Sequence, residues 1–205
     1  MNKLAKTFIL IGSFLITISI YLIISNNYEE INAGKKSKVA LDIIKENIDK
    51  NDETNIKETT INQINNQEEQ SKEMKITNIN GYDYIGTITI PTLNLELPIM
   101  SEYDYNRLMI SPCRYYGSIH TNDLIICAHS YKTHFKYLDK LKQKDLIMIT
   151  DIDGNNYFYE VLEIEILNPD QVSEMINNEF DLTLYTCTND GQKRITVRCN
   201  RINLN

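Results

Sequence analysis

Thr183-Leu184-Tyr185-Thr186-Cys187, followed by Arg194 in Lys193-Arg194-Ile195-Thr196-Val197-Arg198-Cys199, is the stretch that decides how this chain is read. From Asp181 to Cys187 the residues alternate, with Leu182 and Leu184 on one face of a strand and Thr183, Tyr185 and Cys187 on the other. Lys193 to Cys199 repeats that period of two. Between them Thr188-Asn189-Asp190-Gly191-Gln192 carries the Asn-Asp-Gly chemistry of a short antiparallel connection, so the pair predicts a hairpin. Such a hairpin brings Cys187, at the end of one strand, near Arg194, at the start of the next. A thiol beside a guanidinium favours thiolate, and the same cation can hold a developing oxyanion.

Working outward, the chain has 205 residues, 42% hydrophobic and 24% charged, enough for one domain of ordinary size plus further segments. A net charge of −7 without a basic face argues against nucleic acid as a partner. The four cysteines, Cys113, Cys127, Cys187 and Cys199, are too scattered for a disulfide scaffold, and no CxxC or CxxH spacing marks a zinc site. They read as free thiols.

Three segments follow from composition. Residues 1–25 hold Lys3 and Lys6 and then an uncharged run from Phe8 to Ile24. As a helix this run covers roughly 25 Å, close to the roughly 30 Å of a hydrocarbon core, and it has no small-residue cleavage site, so it predicts an uncleaved signal anchor. The lysines place the N-terminus in the cytoplasm and the rest outside the cell. Residues 26–80 are rich in Asn, Glu, Lys and Gln and read as an extracellular polar stalk, with Val39, Leu41, Ile43, Ile44 and Ile48 as a broad, poorly defined helical stripe. Residues 81–205 have the texture of a packed domain.

Within that domain Tyr84 to Ile90, Leu93 to Met100, Leu124 to His129, Asp145 to Asp151 and Tyr157 to Leu167 read as strands, and Pro91 and Pro98 suit edge or bent ones. Thr133 is placed to cap a helix with Phe135, Leu138 and Leu141 on one face, and Pro169 to Asn178 reads as a loop with one helical turn. The fold class is therefore mainly β: a closed barrel of seven or eight strands with one or two short helices, behind an N-terminal transmembrane helix. Of the three histidines, His120 and His134 read as solvated surface groups. His129 ends an apolar strand, where a ring can be fixed and its proton made useful, although position alone fits a half-buried structural histidine as well.

The strand Thr183-Leu184-Tyr185-Thr186-Cys187, with Arg194 on the next strand, Ala128-His129 ending an earlier one and an N-terminal anchor, resembles the sortases, the Gram-positive cysteine transpeptidases. The likeness runs from about Tyr84 to Ile202, with Ala128 standing where the family usually has glycine. It implies Cys187 as nucleophile, His129 as acid and base, and Arg194 as the transition-state cation. Arg198 shares a face with Arg194 and is expected to pair with an acidic neighbour instead.

The resemblance also implies the partners: a sorting-signal peptide of the LPxTG kind, cut after threonine through a thioester, and an amine of the cell wall, from a peptidoglycan precursor or cross-bridge, as acceptor. No cofactor is implied. Calcium, bound near this loop in some sortases, has Asp170, Glu174 and Glu179 available, although scattered loop acids are ordinarily solvated. The missing Asp-Pro-aromatic lid motif, the stop at Asn205 without a second apolar run, and the short stretch from Leu167 to Phe180 point to a compact class A, D or E type. Two other classes of function compete: a different cysteine cell-wall enzyme or peptidase, and a non-catalytic barrel that binds peptide in the same groove.

Overall fold

Alternation from Tyr82 onward folds into a ring of strands. The computed structural model describes residues 3–58, 73–177 and 179–203. Its elements are α1 (Lys3–Glu58), β1 (Thr77–Ile79), β2 (Tyr82–Ile90), β3 (Leu95–Met100), α2 (Tyr105–Leu108), β4 (Cys113–Tyr116), β5 (Leu124–Cys127), β6 (Leu146–Asp151), β7 (Asn156–Leu167), α3 (Val172–Ile176), β8 (Leu182–Cys187) and β9 (Arg194–Ile202). The sheet order is β1-β2-β3-β4-β5-β8-β9-β7-β6, and β6 also pairs with β2, which closes eight strands into a barrel with β1 appended. β3–β4 and β5–β8 are parallel, so the barrel is mixed. Closure removes both sheet edges, the usual liability of an all-β body.

The closing seam depends on one glycine. Gly86 sits at a bulge in β2 with φ +147°, and a Cβ there would fall 2.1 Å from the Thr150 carbonyl oxygen of β6. No other residue lets the two backbones approach so closely. Pro98 lies in β3 opposite Thr87, where the ladder to β4 has not begun: β3 meets β4 only at Met100 and Cys113, so the missing N–H leaves no gap.

Inside the barrel Ile88, Ile99, Leu124, Phe135, Leu184 and Val197 are fully buried. Phe135, Leu138 and Leu141 point into this core together, as their spacing predicts, but residues 132–137 are turns and only Leu138–Lys140 is a short 3₁₀ helix. The Thr133 hydroxyl caps nothing and donates to the carbonyl of Glu30 at 3.5 Å. His134 corrects a second expectation: it is 1% exposed, not a surface group. His120 is exposed.

The largest departure from the sequence reading is α1, one helix of 56 residues that continues through most of the segment read as a solvated stalk. Its first part, including Phe8, Leu15, Leu22 and Ile24, has no buried side chain among the described residues and is long and apolar enough to cross a membrane, which makes it a candidate anchor. Its second part lies on the barrel. Ala33, Ser37, Ala40, Leu41 and Ile44 are buried at helical spacing, and Ala40 and Ile44 cover Tyr84, Met100, Ile110, Cys113 and Cys127. Ser37 Oγ is 3.3 Å from Ser111 Oγ, and Lys45 bridges Glu96 at 2.6 Å. Val39, read as part of the apolar stripe, faces out at 52% exposure. The seam is built from Ala and Ser, whose small side chains let the helix axis approach the sheet. The body also starts before Gly81, because Met74 is buried in the core and β1 pairs with β2. Residues 59–72 of the expected stalk lie outside the described residues.

Candidate active site

Strand parity separates two faces of β5, β8 and β9. Ile126, Leu184, Val197 and Cys199 point into the barrel, while Cys127, Tyr185 and their alternates point out. Cys187 follows Tyr185 on the outer face and sits directly opposite Arg194 in the antiparallel ladder. His129 follows Cys127, two residues past the end of β5, and β5 is held parallel to β8 with Cys127 opposite Tyr185. All three predicted site residues thus sit at the same end of three adjacent strands, with Cys187 on the middle one.

The hairpin that sets Cys187 against Arg194 is locally determined. The Thr188 amide donates to Lys193 O at 2.9 Å, and the carboxylate of Asp190 takes hydrogen bonds from the Thr188 hydroxyl and the Gln192 amide. Gly191 supplies the left-handed step at φ +72°. Arg194 Nη1 donates to Lys193 O at 3.1 Å and Gly191 O at 3.4 Å, and no carboxylate pairs with it among the described residues. Its charge eases ionisation of the nearby Tyr103 phenol, which burial otherwise pushes up.

Arg198 is held differently. It is 2% exposed, its Nε donates to Glu165 Oε1 at 2.7 Å, and its Nη atoms donate to Thr183 Oγ1 at 3.0 Å, Glu174 O at 2.8 Å and Met175 O at 3.3 Å. This side chain ties α3 to β7, β8 and β9, with an acidic partner as its position predicts. Four hydrogen bonds leave it little freedom to reach a ligand.

The thiols divide in the same way. Cys113, Cys127 and Cys199 are buried and Cys187 is half-buried. Burial pushes Cys113 up to about 12, and pushes Cys127 and Cys199 higher still.

His129 packs flat on Tyr131, with ring centroids 4.2 Å apart and 9° between planes. Its Nδ1 is buried without a hydrogen-bond partner. Burial lowers its pKa below the ordinary histidine value, an effect opposed by the charge of Glu29 on α1. His134 lies behind Tyr131 at 5.6 Å, with both ring nitrogens buried and outside hydrogen-bond geometry. Burial first, then the neighbouring His129, push it down to about 4, with the Ile110 backbone opposing.

Several contributors are invisible to motif reading. Thr186 is buried on the inner face and donates to the carbonyl of Ala128 at 2.8 Å, which locks the residue before Cys187 to the residue before His129. Tyr103, Tyr115 and Tyr185 form an edge-to-face series at 5.7 and 5.4 Å. Tyr103 and Tyr115 also line an open groove of about 450 Å³ with Ser101, Glu102, Arg114 and Tyr116. A smaller cavity of about 350 Å³ lies between α1 and β2, lined by Lys36, Val39, Ala40, Ile79 and Tyr82; none of the three candidate residues borders it, and it reflects helix packing. Among the described residues no three His, Cys, Asp or Glu side chains gather as they would around a metal ion. A thiol, an imidazole and a guanidinium at the matching ends of three adjacent strands are the groups that cysteine-dependent acyl transfer uses.

Comparison with known proteins gives that type its family. A family model for the sortase domain matches residues 88–202, more than half of the chain. The protein belongs to the sortase family, whose members are cysteine transpeptidases. Solved structures agree. Sortase C1 of Streptococcus agalactiae is 27% identical with a TM-score of 0.55, over 62% of this chain and 72% of that one. Sortase C of Clostridium perfringens SM101 is 25% identical with a TM-score of 0.53, over 92% of this chain and 99% of that one. The fold of a Clostridium perfringens sortase D5 transpeptidase is also similar, at 21% identity and a TM-score of 0.57 over 82% of this chain. Two of these three are named class C, a class the sequence reading set aside for want of an Asp-Pro-aromatic lid motif. Comparison with curated sequences returns no match.

Proposed function

We propose that this sortase cleaves a sorting signal of the LPxTG kind after its threonine and transfers the new acyl end to an amine of the cell wall. The observation that carries the reading is the register of Cys187 opposite Arg194, with His129 at the matching end of the neighbouring strand and Cys187 the half-buried thiol of four. Burial favours the neutral His129 ring, the form that can take the Cys187 proton. The thiolate adds to the threonine carbonyl, and the oxyanion is held by Arg194, which swings from its hairpin carbonyls. Collapse breaks the C–N bond, and His129 returns the proton to the departing amine. A thioester remains. The acceptor amine then attacks it, gives a proton to His129, and expels the Cys187 thiolate, so that an amide replaces the thioester.

The groove beside Tyr103, Tyr115 and Arg114 supplies apolar rings and a cation for the peptide. The apolar start of α1 anchors the enzyme, with Lys3 and Lys6 in the cytoplasm and the barrel outside the cell. The test is mass spectrometry of products from full-length protein and an LPxTG-type peptide, with and without a glycine or diamino acid acceptor. Cleavage after threonine, amine-dependent ligation, and loss of both in Cys187→Ala are expected. Cleavage at another bond, or cleavage persisting in Cys187→Ala, sinks the proposal.

A further inference from the structure

On emerging from its exposed apolar stretch, α1 contacts the loop that carries His129. Glu30 accepts a hydrogen bond from the Lys132 amide at 2.7 Å, and the Glu30 carbonyl accepts one from the Thr133 hydroxyl at 3.5 Å. One turn on, Ala33 is buried and Gly34 is pressed so close that a Cβ would stand 2.9 Å from Thr133 Cγ2. The loop itself is a tight turn: Phe135 N donates to His129 O at 3.3 Å, His134 N to Tyr131 O at 2.9 Å, and the Tyr131 hydroxyl reaches Met109 Sδ at 3.5 Å. His129 has no side-chain hydrogen bond on its buried Nδ1 to orient it, and its ring leans on Tyr131, which sits between His129 and Lys132 in the chain. Whatever fixes Lys132 therefore fixes the surface against which the His129 ring is stacked.

We propose that Glu30 of the anchor helix is a positioning residue for His129, acting through the Lys132 amide and Tyr131. The inference rests on the proposed function, because it assigns a role in the proton transfers made by His129. It is specific to Glu30: a carboxylate oxygen accepting from a backbone N–H makes a strong, directional hydrogen bond, and among the described residues Glu30 is the α1 side chain that makes one to this loop. Glu29, the next residue on the helix, adds a negative charge felt by both His129 and Tyr131.

The experiment uses the full chain in detergent micelles, with Glu30→Ala and Glu30→Gln. The readouts are kcat and KM for the sorting-signal peptide, the rate of alkylation of Cys187 by iodoacetamide, and Tm. For Glu30→Ala, kcat falls about tenfold while KM stays within about twofold, as expected when a catalytic group is displaced by a fraction of an ångström. Alkylation and Tm stay near wild type. Glu30→Gln keeps an acceptor oxygen and recovers most of the rate. Full activity in Glu30→Ala, equal losses in both variants, or a loss that tracks a falling Tm overturns the inference. Wild-type protein without Cys187-dependent cleavage sinks the proposed function and this inference with it. Active wild type with a silent Glu30→Ala sinks the inference alone.

Discussion

Arg194 and Arg198 are four residues apart on one face of β9, and replacing each by alanine should break different things. Arg198→Ala removes a guanidinium that is 2% exposed and makes hydrogen bonds to Glu165, Thr183 and the carbonyls of Glu174 and Met175. Breaking a buried ion pair costs about 3–5 kcal/mol, because the orphaned partners keep their desolvation penalty. Glu165 is 36% exposed and can turn to water, so the lower end, about 3 kcal/mol, is expected. For a body of this size that lowers Tm by roughly 10 °C. Arg194→Ala removes a half-exposed side chain bonded only to hairpin carbonyls, so Tm should move by no more than about 2 °C. Its effect falls on turnover, about 10²-fold or more if it holds the oxyanion. The assay pairs differential scanning fluorimetry with peptide cleavage measured well below both melting points. Equal kinetic losses at the two positions, or a larger one at Arg198 in protein that is still folded, refute the division of roles.

Three further outcomes follow from the same geometry. A thiol reagent at neutral pH should label Cys187 before Cys113, Cys127 or Cys199, which are buried with raised pKa values; peptide mapping that finds any of those modified first counts against Cys187 as the reactive thiol. His134 is pushed down to about 4 in the fold against an ordinary value near 6.5, so the unfolded chain binds that proton more readily. Its contribution is complete above about pH 6.5 and is lost as pH falls toward 4, up to about 3 kcal/mol at 1.36 kcal/mol per pH unit. Urea melts at pH 7 and 4.5 should show His134→Phe losing less than wild type; an equal loss rejects the assignment. Thr186→Val should cost about 1 kcal/mol of stability and lower kcat more than it raises KM, since the hydrogen bond to Ala128 aligns the strand ends bearing Cys187 and His129; an unchanged kcat would show that the alignment survives without it.

How much of this was legible in the sequence varies with the kind of signal. The closed barrel, the β8–β9 hairpin and the outward set Tyr185, Cys187 and Arg194 follow from period-two alternation and Asn-Asp-Gly, which are local. Arg198 was separable from Arg194 by its place along the strand. His134 was misread because a histidine after Thr133 looks like a helix start, whereas the turns around it bury the ring under Tyr131. The packed half of α1 was missed for a different reason. Of the expected stripe, Leu41 and Ile44 are buried and Ile43 and Ile48 pack partly, with Val39 alone facing out, but the close part of the seam is made by Ala33, Gly34, Ser37 and Ala40, which look neutral in a segment full of Asn, Glu and Lys. Glu30 and Thr186 hydrogen-bond to backbone groups of residues distant in sequence, and no local pattern encodes such a contact.

With the apolar start of α1 spanning a membrane, as proposed above, the continuity of α1 would make the enzyme a fixed instrument where a stalk would have made it a tethered one. Glu30 comes six residues after Ile24, so the His129 loop rides about 9 Å of helix beyond the last residue of the apolar run. With no break between them, such an anchor would set both height and compass bearing. One residue inserted between Ile24 and Glu29 would lift the barrel by only about 1.5 Å but turn it by about 100° about the helix axis, and a second would carry the cleft to nearly the opposite side. A flexible leash absorbs such changes, whereas an unbroken membrane-spanning helix would convert each into a different direction of reach for the cleft.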